Sequence, residues 1–279
     1  MFRRGTALLL VLPAAVVYAG LFVAASAYFL LVSFWQVKAF RLSPTLTLKN
    51  YARTFTAYLE PAATTLLLAL LIAAVTTAVA FAYAWLIRFR AGRLGDALLF
   101  VALVTLFGGY LMKIYAWKTM LGSDGAINTA LLWLGLVDRP VTALLYSPFA
   151  VVLTLSHFLL PFAILPIAAA MRGIADAEVE SARDLGASGR RVLLDVVVPR
   201  ARGGILAGFA LAFLIAAGDY LTPQLVGGKM AMVGQLIAPQ FGTFFNWPLG
   251  AAMSFSVLLA AFLILAALNA GLARVGRQP

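Results

Sequence analysis

The 279-residue chain contains no cysteine, one histidine and few charged residues, which make up 11% of the sequence. Without cysteine it has no disulfide, no thiolate nucleophile and no cysteine-ligated metal. Soluble domains carry about 25% charged residues, so this composition excludes a soluble enzyme and a disordered tail. A membrane-embedded enzyme is disfavoured too, because it needs paired catalytic groups that one histidine and nearly charge-free apolar runs do not provide.

Hydrophobic residues instead make up 63% of the chain, and mean hydropathy is +0.99. Charged residues bound six apolar runs of 33, 27, 16, 32, 16 and 44 residues. A helix crosses a bilayer with roughly 20 apolar residues, and the charges that flank the two short runs can reach the membrane surface on their apolar stems. The first half of the last run, 230–248, is rich in proline, glycine and asparagine and is predicted to be a loop. The sequence predicts an all-α membrane protein, a single transmembrane domain over 1–279, with six spans at about 8–36, 62–88, 96–116, 146–171, 203–222 and 248–273.

Basic residues predict how these spans are oriented. Thirteen arginines and no lysine fall on the side that both termini share, whereas eight basic residues, including all five lysines, fall on the other. Because cytoplasmic loops are enriched in basic residues, both termini are predicted to be cytoplasmic. The net charge of +11 is thus interpreted as an orientation signal and not as a nucleic-acid footprint. The N-terminal apolar run exceeds the 7–15 residues of a signal-peptide core and is expected to remain as the first span.

One predicted cytoplasmic loop, 174–202, is highly charged and contains five of the ten acidic residues. It is predicted to form two short helices. Asp176 is expected to cap the first helix and Gly186 to end it. Ser188 is expected to cap the second helix, and Pro199 either ends that helix or opens the fifth span.

The first of these helices has a narrow stripe of small residues. Val179, Ala182 and Gly186 fall at i, i+3 and i+7, so another protein could approach the backbone closely, with Glu180 and Arg183 beside the stripe to orient it. The pattern therefore predicts a docking element for a cytoplasmic partner. A solvated connector is the alternative.

The same residues carry a family resemblance. Glu180-Ser181-Ala182, three residues, Gly186, nine residues and then Val196-Val197-Val198-Pro199 resemble the EAA loop of bacterial ABC importer permeases, with the pattern E-A-A-x3-G-x9-I-x-L-P. Ser181, Val196 and Val198 depart from it by small or apolar replacements. Further segments, from about 60 to 272, resemble the spermidine/putrescine-type permease I subfamily; they include Tyr115-Ala116-Trp117-Lys118, Gly125-Ala126-Ile127-Asn128, Asp184-Leu185-Gly186-Ala187-Ser188 and Gly218-Asp219-Tyr220-Leu221-Thr222-Pro223.

This resemblance implies a type I ABC importer permease fold in the bacterial inner membrane. In that family the EAA loop forms a coupling helix that sits in a groove of a cytoplasmic ATPase dimer. It assigns ATPase coupling to Glu180, Ala182, Gly186 and Pro199, and extends it to their neighbours Val179 and Arg183. It also implies a second, different permease chain and an extracytoplasmic solute-binding protein that delivers a small molecule such as a polyamine.

The chain lacks a phosphate-binding G-x-x-x-x-G-K-[ST] loop, since its one Gly-Gly-Lys is followed by Met230. It is therefore expected to have no enzymatic activity and to bind no cofactor, while the partner ATPase binds and hydrolyses ATP. No metal site is predicted.

Candidate pathway residues are Asp219, Tyr220 and His157. Asp219 ends the fifth apolar run, where a carboxylate beside Tyr220 could receive an amine, since acids near membrane depth are often functional. A hydrated or paired interfacial acid is the alternative. His157 is either part of a pathway or a packed histidine satisfied by a neighbouring helix. The tyrosines and tryptophans near the predicted outer ends, Tyr110 and Trp117 among them, are interpreted as an aromatic belt.

Two other functions stay open. Another substrate, such as an opine, ferric ion, thiamine or an oxyanion, fits the same family, because specificity would lie mostly in the binding protein. A self-sufficient secondary transporter would need charged relays inside its spans, and these are almost absent.

Overall fold

The computed structural model describes residues 4–39 and 41–275. Arg3 and Arg277, which contribute to the orientation prediction, lie outside these residues. The α-helices are α1 Arg4–Tyr18, α2 Ala24–Ser33, α3 Lys49–Ala57, α4 Leu59–Phe89, α5 Gly95–Val104, α6 Tyr110–Leu121, α7 Ala126–Trp133, α8 Pro148–Arg172, α9 Asp176–Asp184, α10 Gly189–Arg191, α11 Val198–Gly218, α12 Leu221–Val226, α13 Val233–Phe241 and α14 Trp247–Val275. A π-helical turn joins α1 to α2 at Ala19–Val23, and another joins α10 to α11 at Val192–Val197.

Several helices are long and apolar enough to cross a membrane. Among the described residues these are Val11–Ser33, Leu59–Phe89, Pro148–Arg172, Gly189–Gly218 and Trp247–Ala270. A sixth span results if Gly92–Phe107 and Tyr110–Trp133 are taken together, although the two are bent by 96°. The predicted six-span helical architecture is confirmed, with a different shape for the third span.

The third span is broken, which corrects the straight helix predicted over 96–116. Gly108 and Gly109 have extended backbone, with ψ of 116° and 143°. Glycine is a poor helix former, and two in succession end α5 and its terminal 3₁₀ turn before α6 begins at Tyr110. Non-helical backbone at membrane depth is tolerated where protein buries it or where it lines a water-filled cavity. The break therefore makes this region a candidate for the transport pathway.

The fifth span begins and ends before the predicted limits of 203–222. Its helix runs from Gly189 through the π-helical turn, where the Val198 N–H donates to the Leu193 carbonyl. Pro199 follows in the first turn of α11, inside the continuous helix Gly189–Gly218, so it neither ends the helix that Ser188 caps nor opens the span. The π turn already shifts the hydrogen-bond register where the proline lacks a donor. At the other end the backbone of Asp219 is extended, with ψ of 136°.

The segment 230–248 is not wholly a loop, because it contains α13. The Gln235 side chain accepts a hydrogen bond of 2.8 Å from the Met232 N–H just before this helix. Pro239 lies inside α13, and its carbonyl accepts from the N–H groups of Thr243 and Phe244, each at 2.9 Å. The segment was predicted to be a loop because it is rich in proline and glycine, which are poor helix formers.

The described chain groups into two compact units. One contains the residues up to Glu60 together with Leu236–Leu259, and the other contains Pro61–Gln235 together with the residues from Ala260 onward. That 1–279 acts as a single permease domain stays a prediction.

The first unit contains a small antiparallel hairpin, which the all-α prediction did not anticipate. It consists of β1 Gln36–Lys38 and β2 Arg41–Ser43, with Val37 opposite Leu42. The Asn50 side-chain amide donates to the carbonyls of Ser33 and Trp35 at 2.9 and 2.8 Å. These two bonds fix α3 against the end of the first span.

The second unit is built around the close packing of α8 against α11. A Cβ atom added at Gly204 would lie 2.4 Å from the Pro166 carbonyl oxygen, and one added at Gly208 would lie 3.0 Å from that of Ala163. Small residues let helix backbones approach closely within a bilayer, where van der Waals packing drives association. The two helices therefore form a tight pair that runs between the two sites described next.

Candidate functional site

The loop 174–202, which is predicted to couple the chain to an ATPase, is here called the coupling segment. It begins with α9, which we call the coupling helix after this prediction. Asp176 is the first residue of this helix and not its cap, because Ala175 occupies the cap position and makes no side-chain bond. The Asp176 carboxylate instead pairs with the Arg88 guanidinium at 2.6 Å, and the same nitrogen donates to the Ile174 carbonyl at 2.9 Å. The expected cap is thus replaced by an ion pair to the end of α4.

A second ion pair holds the first turn of the coupling helix. Arg200 donates through Nε and Nη2 to the Glu178 carboxylate, at 2.7 and 2.5 Å. This hydrogen bonding holds the pKa of Glu178 below its ordinary value. Because Arg200 lies in the first turn of α11, the coupling helix is linked to the second span by one ion pair and to the fifth span by the other.

The end of the coupling helix follows the sequence prediction. Gly186 has a φ of +82°, the left-handed conformation that favours glycine. The Gly186 N–H donates to the Arg183 carbonyl at 2.8 Å, and the Ala187 N–H donates to that of Ala182 at 3.0 Å, which closes the helix as in a Schellman motif. Ser188 then caps the next helix by accepting from an N–H three residues on, at 3.4 Å.

The small-residue stripe does not lie on an open surface, which corrects the sequence interpretation. Val179 is only 6% exposed, and it packs with Ala182, Trp85 and Phe89 in a cluster within the second unit. A charged nine-residue helix gains stability by burying its few apolar side chains, so these face the spans. Val179 is buried and Ala182 is half-buried, whereas Gly186 at the end of the stripe is exposed. The coupling roles predicted for Val179 and Ala182 stay predictions.

The opposite face of the coupling helix is exposed. It presents Glu180, Ser181 and Asp184, followed by Leu185 with 87% of its surface exposed. Leu185 lies within one of the segments that carry the family resemblance, but the sequence predicts no role for it. The signal in the sequence is an apolar residue between Asp184 and Gly186 at the end of a charged helix.

A second cluster surrounds the break in the third span. Tyr110, Lys113 and Trp117 fall at i, i+3 and i+7 of α6, on one face of that helix. The Tyr110 ring lies 4.5 Å from that of Phe158, and its hydroxyl donates to Asp219. The prediction that Tyr110 belongs to an aromatic belt is therefore wrong, because its hydroxyl is held inside the protein. We call Tyr110, Lys113, Phe158, Asp219 and Thr222 the break cluster.

Asp219 is the centre of this cluster. Besides the Tyr110 hydroxyl, its carboxylate accepts from the backbone N–H groups of Leu221 and Thr222 at 3.3 and 3.2 Å. The Thr222 hydroxyl completes the network at 2.7 Å from that of Tyr110. Asp219 is neither freely hydrated nor paired with a base in these contacts, and it joins the end of α11 to the broken third span.

The other two predicted pathway residues are placed differently. Tyr220 is 41% exposed and makes no side-chain hydrogen bond among the described residues. His157 is exposed on α8, and its Nδ1 accepts from the Trp117 Nε1–H at 3.1 Å. The bond to Trp117 on α6 agrees with the predicted alternative of a histidine satisfied by a neighbouring helix, but His157 is exposed and not packed. Its pathway role stays a prediction. The helix around it continues through Pro161 and Pro166 without interruption.

Lys113 is the residue that sequence reasoning missed in this region. It is 9% exposed, and its Nζ has no hydrogen-bond partner among the described residues. The ammonium lies 5.3 Å from the centroid of the Phe158 ring, a cation–π distance. A buried cation without an anion is costly in protein interiors, so Lys113 makes this cluster a candidate functional site.

Comparison with known proteins connects these sites to a family. The family described as "Binding-protein-dependent transport system inner membrane component" matches residues 97–276. The chain belongs to this family. The spermidine/putrescine transport system permease protein PotB of Escherichia coli is 33% identical over 221 residues, which cover 78% of this chain and 80% of PotB. The inner membrane ABC transporter permease protein YdcU of Escherichia coli is 31% identical over 238 residues, covering 81% of this chain and 76% of YdcU.

A solved structure agrees on the fold. A bacterial alginate ABC transporter, in complex with an alginate pentasaccharide-bound periplasmic protein, matches with a TM-score of 0.67 and 16% identity, over 99% of this chain and 96% of that one. At this identity the likeness shows the fold alone. This likeness confirms the predicted ABC importer permease fold. The family match and the similarity to PotB and YdcU confirm the inner-membrane location, whereas the side on which the termini lie stays a prediction.

Proposed function

We propose that the chain is one of two permeases in an ATP-driven importer of spermidine, putrescine or a related small amine. The similarity to PotB over 78% of the chain supports the substrate class. An extracytoplasmic binding protein delivers the amine, and a cytoplasmic ATPase dimer hydrolyses ATP. The absence of a phosphate-binding loop in this sequence supports the assignment of ATP to the partner and the absence of a cofactor of its own.

The exposed face of the coupling helix is the observation that carries the proposal. Leu185 is 87% exposed beside the carboxylates of Glu180 and Asp184. An apolar anchor rimmed by charge fits a groove on a soluble partner. We assign Leu185 as the anchor in the ATPase groove and Glu180 as an orienting charge. Gly186 ends the helix so that Leu185 projects at its tip.

The ion pairs give a route for mechanical coupling. When the ATPase dimer closes, it displaces the coupling helix, and Arg88 and Arg200 carry this displacement to α4 and α11. The close packing of α11 on α8 makes these helices move together. At the far end of α11, Asp219 transfers the movement to α6 through Tyr110. The broken third span is then the element that alternates between outward and inward openings.

The test is uptake by the assembled importer in proteoliposomes, with labelled spermidine, the binding protein outside and ATP inside. Leu185→Gln should reduce uptake by more than about tenfold, since a buried interface anchor contributes 2 kcal/mol or more. Leu185→Met should retain most of it. Leu94→Gln is the matched control, because Leu94 is also exposed, at 67%, in the loop after the second span. Full uptake without any ATPase would overturn the proposal.

A second substrate class has one observation in its favour. The buried Lys113 ammonium has no anionic partner among the described residues, and a substrate with a carboxylate or phosphonate beside its amine would supply one. Competition in the same uptake assay separates the two classes. A zwitterionic amine that displaces spermidine in the wild type, and loses this ability in Lys113→Met, would favour the second class.

A further inference from the structure

A cavity of about 220 Å³ lies between the end of α4 and the coupling segment. Its two charged lining residues are Arg90, which follows α4, and Arg183 on the coupling helix. Trp85 forms one wall, and the Arg90 guanidinium lies 5.3 Å from its ring centroid. The remaining lining is mostly apolar and comprises Phe89, Val179, Gly189, Val192, Leu193 and Val197. No carboxylate is among these residues.

Some arginines in this part of the chain are paired with carboxylates, and others are not. Arg88, Arg172 and Arg200 each pair with a carboxylate at 2.5–2.6 Å. Within residues 4–39 and 41–275, Arg90 and Arg183 form no ion pair. The same holds for Arg93, Arg190, Arg191 and Arg202, but these four do not line the cavity. Two uncompensated guanidiniums on one small cavity create a locally positive field, and the arginine fork fits a phosphate with two parallel hydrogen bonds. The cavity is therefore suited to a phosphate-bearing anion.

Its position identifies which anion. Arg90 directly follows Phe89, the last residue of the span Leu59–Phe89, so the cavity lies at one end of a membrane-spanning helix. A tryptophan at this level is typical of the membrane interface, and basic pockets at helix ends bind the head groups of anionic lipids. The apolar lining from Phe89 and Leu193 matches the glycerol and upper acyl region of a lipid, which a free phosphate lacks.

We infer that this cavity binds the head group of an anionic phospholipid, with Arg90 and Arg183 on the phosphate and Trp85 against the glycerol region. The site joins the coupling helix to the end of the second span, the same two elements that the Arg88–Asp176 ion pair connects. A bound lipid would hold Arg183, and with it the coupling helix, against the end of the second span. Lipid composition then affects coupling through a defined contact and not through bulk membrane properties.

The binding test uses the purified full-length chain in neutral detergent, titrated with short-chain phosphatidylglycerol and followed by native mass spectrometry. Arg90→Gln should weaken binding about fivefold, the effect of one basic residue at an anionic surface. Arg93→Gln is the matched control, because Arg93 is exposed in the same loop but does not line the cavity. It should change binding by less than about twofold.

Three further arms make the result decisive. Arg183→Gln should weaken binding as much as Arg90→Gln, and Arg90→Lys should restore most of it, which separates loss of charge from misfolding. Phosphatidylcholine should not compete. Inorganic phosphate at millimolar concentration should not compete either, and if it does, the site takes free phosphate and the inference is wrong. Equal binding by wild type, Arg90→Gln and Arg183→Gln would also overturn it. Because no transport is measured, the outcome is independent of the proposed substrate.

Discussion

The coupling helix and the break cluster lie near opposite ends of α11, and they use carboxylates in opposite ways. Asp176 and Glu178 are paired with arginines at a surface where water screens the charges. Asp219 has uncharged partners, a tyrosine hydroxyl and two backbone N–H groups, inside a packed region. The first arrangement positions a helix with little effect on stability, whereas the second holds three chain segments together. Substitutions should therefore have distinct effects at the two ends.

The largest effect is expected at Asp219. Asp219→Ala leaves the hydroxyl of Tyr110 and the N–H groups of Leu221 and Thr222 without their acceptor. We expect a loss of about 3 kcal/mol in the free energy of unfolding, because hydrogen bonds to a charged group contribute about 1.5–3 kcal/mol each. Thermal unfolding in detergent measures it. Tyr220→Phe, at the exposed neighbouring position, should cost under about 0.5 kcal/mol. Equal stability of wild type and Asp219→Ala would contradict the role of a buried lock.

A second test concerns the packing that joins the two ends. Gly204→Ala places a methyl group 2.4 Å from the Pro166 carbonyl oxygen and 2.6 Å from Ala170 Cβ, so we expect a loss of about 2 kcal/mol. Gly203 is the adjacent control, since nothing lies within 4 Å of its added Cβ. Gly203→Ala should leave stability unchanged or raise it by up to about 1 kcal/mol through helix propensity. Identical unfolding temperatures for the two variants would show that α8 and α11 are not in close contact.

At the coupling end, Gly186→Ala tests function more than stability. The φ of +82° costs a residue with a Cβ atom about 1 kcal/mol, and relief of this strain would re-aim Leu185. We expect the protein to insert and fold while ATP-driven uptake falls by about fivefold or more. Gly189→Ala is the control, because Gly189 has no left-handed φ and no atom within 4 Å of its added Cβ. Equal uptake by Gly186→Ala and Gly189→Ala would contradict a role for the left-handed conformation of Gly186 in coupling.

The smallest effect concerns pH. Because Arg200 lowers the pKa of Glu178 in the folded protein, the ion pair stabilises above the unfolded-state pKa, about 4.3. That contribution is lost as the pH falls through the folded-state pKa. The difference in unfolding temperature between wild type and Arg200→Gln should be present at pH 7, shrink below about pH 4.3 and vanish in stronger acid. A difference that grows with acidity would have the wrong sign for this pair.

Much of the coupling segment could be predicted because its determinants are local. The acidic run 176–184, Gly186 and Ser188 specify a helix, its end and the next cap within a few residues. Which side of the coupling helix is exposed could not be predicted in the same way. Val179 and Ala182 form a stripe that suits either an external partner or the chain's own spans, and only Trp85 and Phe89, nearly a hundred residues away, settle the choice.

The break cluster lay almost wholly beyond prediction. Asp219 was identified by its depth, but its partner Tyr110 is 109 residues away, and aromatic residues near span ends have an ordinary explanation as a belt. The bend at Gly108–Gly109 was missed because hydropathy counts apolar residues and is insensitive to backbone direction. In the sequence Lys113 marks the boundary of an apolar run, but in the structure its side chain is buried beside Phe158.

By itself the sequence determined the membrane class, the six spans and the coupling segment, because composition, charge-free length and local caps act over short distances along the chain. The tertiary structure decided which face of the coupling helix is open, where the third span breaks, what Asp219 holds and which two arginines share a cavity. These features depend on contacts between residues far apart in the chain. The residue periodicity of a single helix does not indicate which other helices pack against it.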